Sequence, residues 1–348
     1  MNSVPARRKL DIRDGRVDLS HGAGGRAMGR LIADIFHAAF DNAWLRAGND
    51  QSAFEAPTSR LVMTTDAYVV SPLFFPGGDI GRLAVNGTIN DIAMAAAKPL
   101  YLAASFILEE GFPLSDLQRI AASMGEASRQ AGVPIITGDT KVVERGKADG
   151  VFISTSGVGA LFPGLTLSSD QVRPGDVVLL SGTIGDHGVA IMSKRENLEF
   201  ETAILSDTAA LHGLVADMAA AAGGAIRVMR DPTRGGLAAT LNELAESSRV
   251  GFTLEEAAIP VRPEVAGACE FLGLDPLNVA NEGKLVAIVA PEAAERLLAA
   301  MKSHPLGRDA AIIGRAVEDA QHFVEMRTAF GGGRIVDWLA GEQLPRIC

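Results

Sequence analysis

The chain has 348 residues, 47% of them apolar and 21% charged, with 38 glycines, 5% aromatics and a formal net charge of −10. That length predicts about two domains, and the balance of residues suits a globular α/β or α+β enzyme rich in glycine turns. The negative charge argues against nucleic acid or an anionic membrane as partner, although a local cationic pocket for phosphates remains compatible with it. The two cysteines, Cys269 and Cys348, make neither a disulfide framework nor a zinc cluster, and a reducing cytoplasm is their simplest home.

The first stretch, "MNSVPARRKLDIRDGRVDLS", is charged and lacks the apolar centre of a secretion signal. Residues 1–50 then read as a glycine turn, "HGAGGRAMG", running into a helix, "RLIADIFHAAF". Residues 51–162 read as the next unit, the one to which the resemblance drawn below assigns ATP binding and dimerisation. Its β-branched "RLVMTTDAYVV" predicts a strand, "DIGRLAVNGTINDIAMAAA" a helix and "LYLAASFILEEG" a strand. The amphipathic "PLSDLQRIAASMGEASRQAG" predicts a helix with Pro113 and Ser115 at its start and Gly132 at its end. "VPIITGDTKVVE" and "GVFISTSGVGAL" add two strands. The most apolar run, "IAMAAAKPLYLAASFIL", is broken by Lys98 and Pro99 and is no membrane span. The order β-α-β-α-β-β predicts an α+β mixed sheet with helices on one face rather than a Rossmann sheet.

Proline, glycine and polar residues at 163–175 predict a linker. Residues 176–340 read as a second α/β unit. It opens with the strand, glycine turn and helix of "VVLLSGTIGDHGVAIM" and continues with a helix over 206–222. Then come a turn and helix in "MRDPTRGGLAATLNELAESS", a strand in "VGFTLEEAAIPV" and a helix over 263–273. "KLVAIVAPEAAERLLAAMKSH" gives a strand and helix, and "DAAIIGRAVE" a last strand. Residues 341–348 form a short tail ending in Cys348.

Six features carry chemistry. His21, Gly22, Gly24 and Gly25 open a helix, where free backbone N–H groups and the absence of side chains make a phosphate cradle; alone, the turn reads equally as a flexible helix start. Asp66, Asp91 and Asp139 sit at element ends or in apolar surroundings, where a carboxylate is costly unless it binds a partner. Singly each is as readily a cap or turn former; together they suit a magnesium–nucleotide site. Lys141 shares a strand face with Asp139 and points toward the same phosphates, or toward solvent. Arg234 in "RDPTRGG" offers a guanidinium to an anion, or lies on the surface of a capped helix start. Glu282 in "ANEGKL" stands in a turn beside a strand, as a candidate base or a plain surface acid. Cys348 acts as a nucleophile or carrier only if its thiolate reaches the site; four extended residues from Pro345 span about 13 Å.

"HGAGG", "TTDAYVV", "NGTINDIAM", "GDTKVV", "DPTRGG", "NEGK" and the terminal "PRIC" stand here in the order seen in the HypE family, the carbamoyl dehydratases of [NiFe]-hydrogenase maturation, and from His21 to Cys348 the chain resembles that family. Its looser relatives include aminoimidazole ribonucleotide synthetase, selenophosphate synthetase and thiamine-phosphate kinase. The resemblance implies an N-terminal α+β sandwich that dimerises into a shared β-barrel and a C-terminal α/β domain covering an ATP cleft. It implies that Cys348 receives a carbamoyl group from the carbamoyltransferase HypF. ATP with Mg2+ dehydrates that group to a thiocyanate, and the cyanide passes to iron on a HypC–HypD complex. It further implies that Asp66, Asp91 and Asp139 hold magnesium with Asn90 beside them. The glycine turn, Thr140, Lys141 and Arg234 would address the nucleotide, with Glu282 as base and Lys141 as second choice. The rival readings are another ATP-dependent enzyme of the superfamily with an idle tail, and a nucleotide-binding scaffold whose tail docks a partner.

Overall fold

The computed structural model describes residues 10–23, 25–47, 49, 51–198, 203–338 and 346–347. After a turn over Leu19–Gly22, α1 (Arg26–Leu31) continues through a π-helical stretch, Ile32–His37, into α2 (Ala38–Phe40), followed by α3 (Ala43–Ala47). The helix expected at "RLIADIFHAAF" is therefore present with a widened middle turn.

A four-stranded sheet is built from β1 (Leu61–Tyr68), β4 (Ala97–Glu109), β5 (Ile135–Val143) and β6 (Val151–Leu161), in the order β1-β6-β4-β5. Only β4 and β5 run parallel. Between β1 and β4 lie a two-stranded ribbon, β2 (Phe74–Phe75) with β3 (Gly78–Asp79), and α4 (Ile80–Met94). The Asp79 carboxylate caps α4 by accepting the Arg82 N–H at 2.9 Å. α5 (Leu114–Ala131) ends at Gly132, whose left-handed backbone (φ 67°, ψ 25°) is the expected stop. α4 packs against β1, β4, β6 and α5. Leu117, Ile120 and Met124 of α5 are fully buried, each worth about 1.5–3 kcal/mol of transfer free energy. The opposite sheet face carries Leu61, Met63 and Ile107 in the open, Met63 being 73% exposed.

The second sheet has seven strands. These are β7 (Val177–Leu180), β8 (Ile226–Arg230), β9 (Gly251–Glu255), β10 (Val286–Val289), β11 (Ala311–Val317), β12 (Val324–Arg327) and β13 (Gly333–Ile335), ordered β13-β12-β9-β11-β7-β10-β8. The helices with it are α6 (Asp186–Arg195), α7 (His212–Ala222), α8 (Gly236–Ser248), α9 (Pro263–Leu272) and α10 (Ala294–Ser303). Every residue of β10 is buried. One apolar cluster joins this sheet to α8 and another joins it to α7 and α10. The architecture is α+β with both sheets mixed, and each sheet of the single chain is open rather than closed into a barrel among the described residues.

Three expectations are corrected. The helix foreseen over 206–222 begins only at His212. Residues 206–210 stay irregular and Leu211 only caps the helix, because their polar groups bond outward, Ser206 N–H to Pro76 O and Leu211 N–H to the Asn90 side chain. The strand Ala311–Val317 is not the last, since β12 lies parallel to β9 and β13 follows. β8, expected as part of a turn, is an edge strand paired with β10.

Candidate active site

Four carboxylates meet where α4, the end of β1 and the turns after β8 and before β10 come together. Thr64 and Asp66 share a face of β1, and the Thr64 hydroxyl donates to Asp91 of α4 at 3.0 Å. Asp231 follows β8, and Glu282, 3% exposed, stands four residues before β10. Burial and then the nearness of Asp231 push the Asp91 carboxyl up to about 7. Burial likewise pushes Asp231 up to about 6, with Asp66 adding to it. Glu282 is raised well above the usual carboxylate range by burial, then by Asp231, Asp207, Asp66 and Asp91. Its Oε1 has no hydrogen-bond partner.

The frame around Glu282 is fully bonded. Asn281, completely buried, accepts the Gly185 N–H and donates to the Pro232 and Val279 carbonyls, so it locks the turn that carries Asp231. The Glu282 N–H donates to Asp207 at 3.0 Å, and the other oxygen of Asp207 takes the Lys284 ammonium at 3.0 Å. Burial opposes charge on Asp207, but Lys284 and these hydrogen bonds outweigh it and hold the carboxyl below its usual range. A Cβ on Gly283 would overlap the Asp207 carbonyl oxygen, so the glycine of "NEG" lets the two segments pass. Asn90 donates to the Ala209 and Glu282 carbonyls and accepts the Leu211 N–H. It thus ties α4 to the turn holding Glu282.

The remaining candidates gather elsewhere. His21 is buried, and its Nδ1 accepts the Asp18 N–H as part of a reciprocal cap. Gly22 lies against Val142 of β5, Gly25 caps α1 in open space, and Gly24 lies outside the described residues. Asp139 and Lys141 project together from β5, 3.3 Å apart and both exposed, and Thr140 between them is buried. β5 and β1 are the two edges of the four-stranded sheet, so Asp139 is about 14 Å, three strand spacings, from the row of Asp66. Arg234 is exposed before α8. Gly235 and Gly236 behind it are both left-handed, and a Cβ on Gly236 would strike the Leu277 and Val279 carbonyls. Among the described residues no group of three His, Cys, Asp or Glu side chains is placed to hold a metal ion. Within one chain, then, the glycine turn with Asp139 and Lys141 forms one candidate half-site, and the four carboxylates form another.

Cys348 lies outside the described residues, but Arg346 and Ile347 before it are described, and Ile347 is 3% exposed within the N-terminal core. Asp231, Asp207 and Lys284 are the residues that sequence reading did not single out. Asp231 was in view inside "RDPTRGG", but nothing local distinguishes it from a turn aspartate.

The carboxylate cluster sets a pH dependence of stability. Asp91 and Asp231 have folded values raised above their unfolded ones, so their contribution is fully present below about pH 4 and is lost as pH rises through about 6–7. Each pH unit across that window weakens the fold by up to ~1.4 kcal/mol per proton released. In thermal denaturation without nucleotide or divalent cation, the melting temperature should fall between about pH 5 and pH 8, and magnesium with ATP should recover it at the upper end. A flat profile would mean that the cluster is already neutralised within the chain.

Comparison with known proteins follows from this geometry. Residues 48–161 match the family model for the AIR synthase related protein N-terminal domain, and residues 173–327 match that for its C-terminal domain. A carbamoyl dehydratase HypE of Rhizobium leguminosarum bv. viciae is 75% identical over 342 residues, covering 98% of each chain. A crystal structure of hydrogenase maturation protein HypE in complex with ATP superposes with a TM-score of 0.91 at 49% identity, covering 95% of this chain and 99% of that one. The HypE of a HypE–HypF complex superposes with a TM-score of 0.78 at 51% identity, covering 89% of this chain and 99% of that one.

Proposed function

The chain belongs to the carbamoyl dehydratase HypE family of AIR synthase related proteins, and from that membership we propose that its buried carboxylate site dehydrates an S-carboxamide on Cys348 to a thiocyanate at the expense of ATP. The product would supply the cyanide ligand of a [NiFe]-hydrogenase iron centre. The observation that carries this reading is the buried Glu282, its Oε1 unpartnered, held beside Asp66, Asp91 and Asp231.

The chemistry balances on these groups. The amide oxygen attacks the γ-phosphorus of ATP and ADP leaves, while one N–H proton is lost. The O-phosphorylated imidate then expels phosphate as a base takes the second N–H proton, leaving S–C≡N. An amide oxygen is a poor leaving group and phosphate a good one, so ATP is cleaved once per cyanide. Glu282 is the proposed base: it is buried, and its raised proton affinity matches removal of a weakly acidic N–H proton. Burial also keeps water from hydrolysing the imidate.

Asp66 and Asp91, with Asp231, suit a hard dication: they are oxygen donors crowded together, and the neighbouring Arg230 does not offset the rise of Asp91 and Asp231. Bound there, magnesium would screen the negative charge of the triphosphate. Oxygens beyond a single chain's carboxylates would complete its shell, in keeping with the lack of a ready three-residue cage.

A homodimer resolves the separation of the two half-sites. The exposed apolar face with Leu61, Met63 and Ile107 needs a cover. A second copy packed there, completing a barrel, would carry its own Asp139, Thr140 and Lys141, with the glycine turn and His21, toward the first copy's Asp66 and Asp91. Arg234 would meet the nucleotide at the rim of the C-terminal unit, with 163–175 as the linker between units and 341–348 as the tail. HypF is the proposed carbamoyl donor and a HypC–HypD complex the proposed acceptor. No described helix is long and apolar enough to cross a membrane.

The test is mass spectrometry of the C-terminal peptide. After incubation with the donor system it should carry a carbamoyl adduct on Cys348. ATP should convert that adduct to a cyano adduct one water lighter, with one ATP cleaved per conversion. ATP turnover with no change on the peptide would favour the small-molecule enzyme; a bound nucleotide with neither turnover nor adduct would favour the scaffold.

A further inference from the structure

One buried imidazole is unused by the chemistry above. His187, near the start of α6, is completely buried and stands edge-on to the Phe75 ring, with centroids 5.6 Å apart at 90°. Its Nε2 lies 2.8 Å from the carbonyl oxygen of Ile347 and its Nδ1 2.8 Å from the Ser206 hydroxyl. A carbonyl can only accept, so Nε2 carries the hydrogen. Burial disfavours the charged ring, so Nδ1 accepts from Ser206 Oγ–H.

The arm is held at further points. The Arg346 carbonyl accepts from the Ser71 N–H at 3.1 Å and from Arg195 at 3.0 Å, and the Arg346 guanidinium pairs with Asp149. Arg195 also grips the Ser71 carbonyl through two nitrogens, at 3.0 and 2.7 Å. A chain end normally frays unless it is tied down; here both described carbonyls have dedicated donors. Beyond Ser206, the next residue is Asp207, which accepts the Glu282 N–H at 3.0 Å.

We propose that His187 is the positioning residue that seats the carboxy-terminal arm. Its Nε2–H fixes the Ile347 carbonyl, whose peptide plane continues into Cys348. Its Nδ1, through Ser206 and Asp207, connects that seat to the backbone of Glu282. Arrival of the arm and placement of the base are thereby linked by the two hydrogen bonds of His187, the covalent step from Ser206 to Asp207, and the hydrogen bond from the Glu282 N–H to Asp207. The link to catalysis rests on Cys348 being the carrier, whereas the seat can be measured without any carbamoyl chemistry.

The experiment compares His187→Asn with His187→Gln in the full-length chain. An asparagine amide takes the place of Nδ1 and loses the donor to Ile347, whereas a glutamine amide reaches the place of Nε2 and keeps it. The readout is the rate of iodoacetamide labelling of Cys348, resolved by peptide mass from the buried Cys269. His187→Asn should label roughly tenfold faster than wild type, the scale of one buried hydrogen bond, and His187→Gln within about twofold of it. Equal rates in the two variants, fast or slow, overturn the proposal, because a purely structural role would not distinguish them. Should either variant fail to fold, the wild-type chain still decides: imidazole nitrogen NMR must show His187 neutral and Nε2-protonated, and an Nδ1-protonated or charged ring overturns it. Tail labelling that follows the predicted order while no adduct forms on Cys348 would leave the seat standing and remove the carrier reading.

Discussion

Replacing Cys348 with alanine is expected to abolish ATP cleavage that depends on a carbamoyl donor, to below about one part in a thousand of wild type, because in the proposed reaction the thiol sulfur carries the substrate. Alanine removes only the sulfur. Arg346 and Ile347, with their bonds to Ser71, Arg195 and His187, are untouched, so ATP affinity and melting temperature should hold within error. Measured together, the three quantities separate a carrier from an idle tail. Carbamoyl-dependent turnover that survives the substitution would sink the carrier reading outright. Loss of turnover accompanied by an equal loss of ATP binding would instead show that the change disturbed the fold.

The elements that set up this site were legible in the sequence to the extent that they are local. α5 announces itself by its apolar spacing and by Gly132, and β1 by its β-branched run ending in Asp66. What could not be read was pairing. The order β1-β6-β4-β5 places Asp66 and Asp139 on opposite edges, and no local pattern specifies which strands become edges. The expectation of one site for three aspartates therefore divides within one chain: Asp66 and Asp91 stand together and Asp139 stands across the sheet. β8, β12 and β13 escaped for a related reason: each has five residues or fewer and gains its order from a neighbouring strand rather than from its own periodicity.

The same distinction explains which site residues were missed. Asn90 was read as standing beside the magnesium aspartates, and its three hydrogen bonds tie α4 to the segments around Glu282 and Leu211, a support that no local pattern announces. Asp207 and His187 stand in stretches with no motif of their own. Their roles exist only because residues 206–211 forgo a helix and bridge α4, α6 and the Glu282 turn. Tertiary hydrogen bonding overrode local propensity there, and the override built the support for Glu282.

Glu282→Gln is expected to lower the rate of dehydration by about 10²–10⁴-fold, the usual worth of a positioned general base, while carbamoylation of Cys348 and ATP binding persist. Glutamine keeps the size of the side chain. The backbone N–H of residue 282 still reaches Asp207, and its carbonyl still accepts from Asn90, so the frame does not depend on the charge. The carbamoyl adduct should therefore accumulate on the C-terminal peptide instead of converting to the cyano form. The pH profile adds a second criterion. Burial and four neighbouring carboxylates raise the proton affinity of Glu282, so wild-type activity should climb with pH as the side chain ionises, and the glutamine variant should lose that limb. Neutralising Asp66, Asp91 and Asp231 lowers the same proton affinity by removing like-charge repulsion. Saturating magnesium and ATP should accordingly move the wild-type limb to lower pH. Normal dehydration by the glutamine variant would transfer the role of base to Lys141, which, paired with Asp139 on β5, would then have to act as the neutral amine and be supplied by the second copy. Mixed dimers of Lys141→Ala and Glu282→Gln chains distinguish the two. If the base and the lysine of one working site come from different copies, the mixed dimer carries both lesions at one site and neither at the other, so each mixed dimer works at about half the wild-type rate, and an equal mixture of two inactive parents that reassorts at random regains about a quarter of wild-type activity.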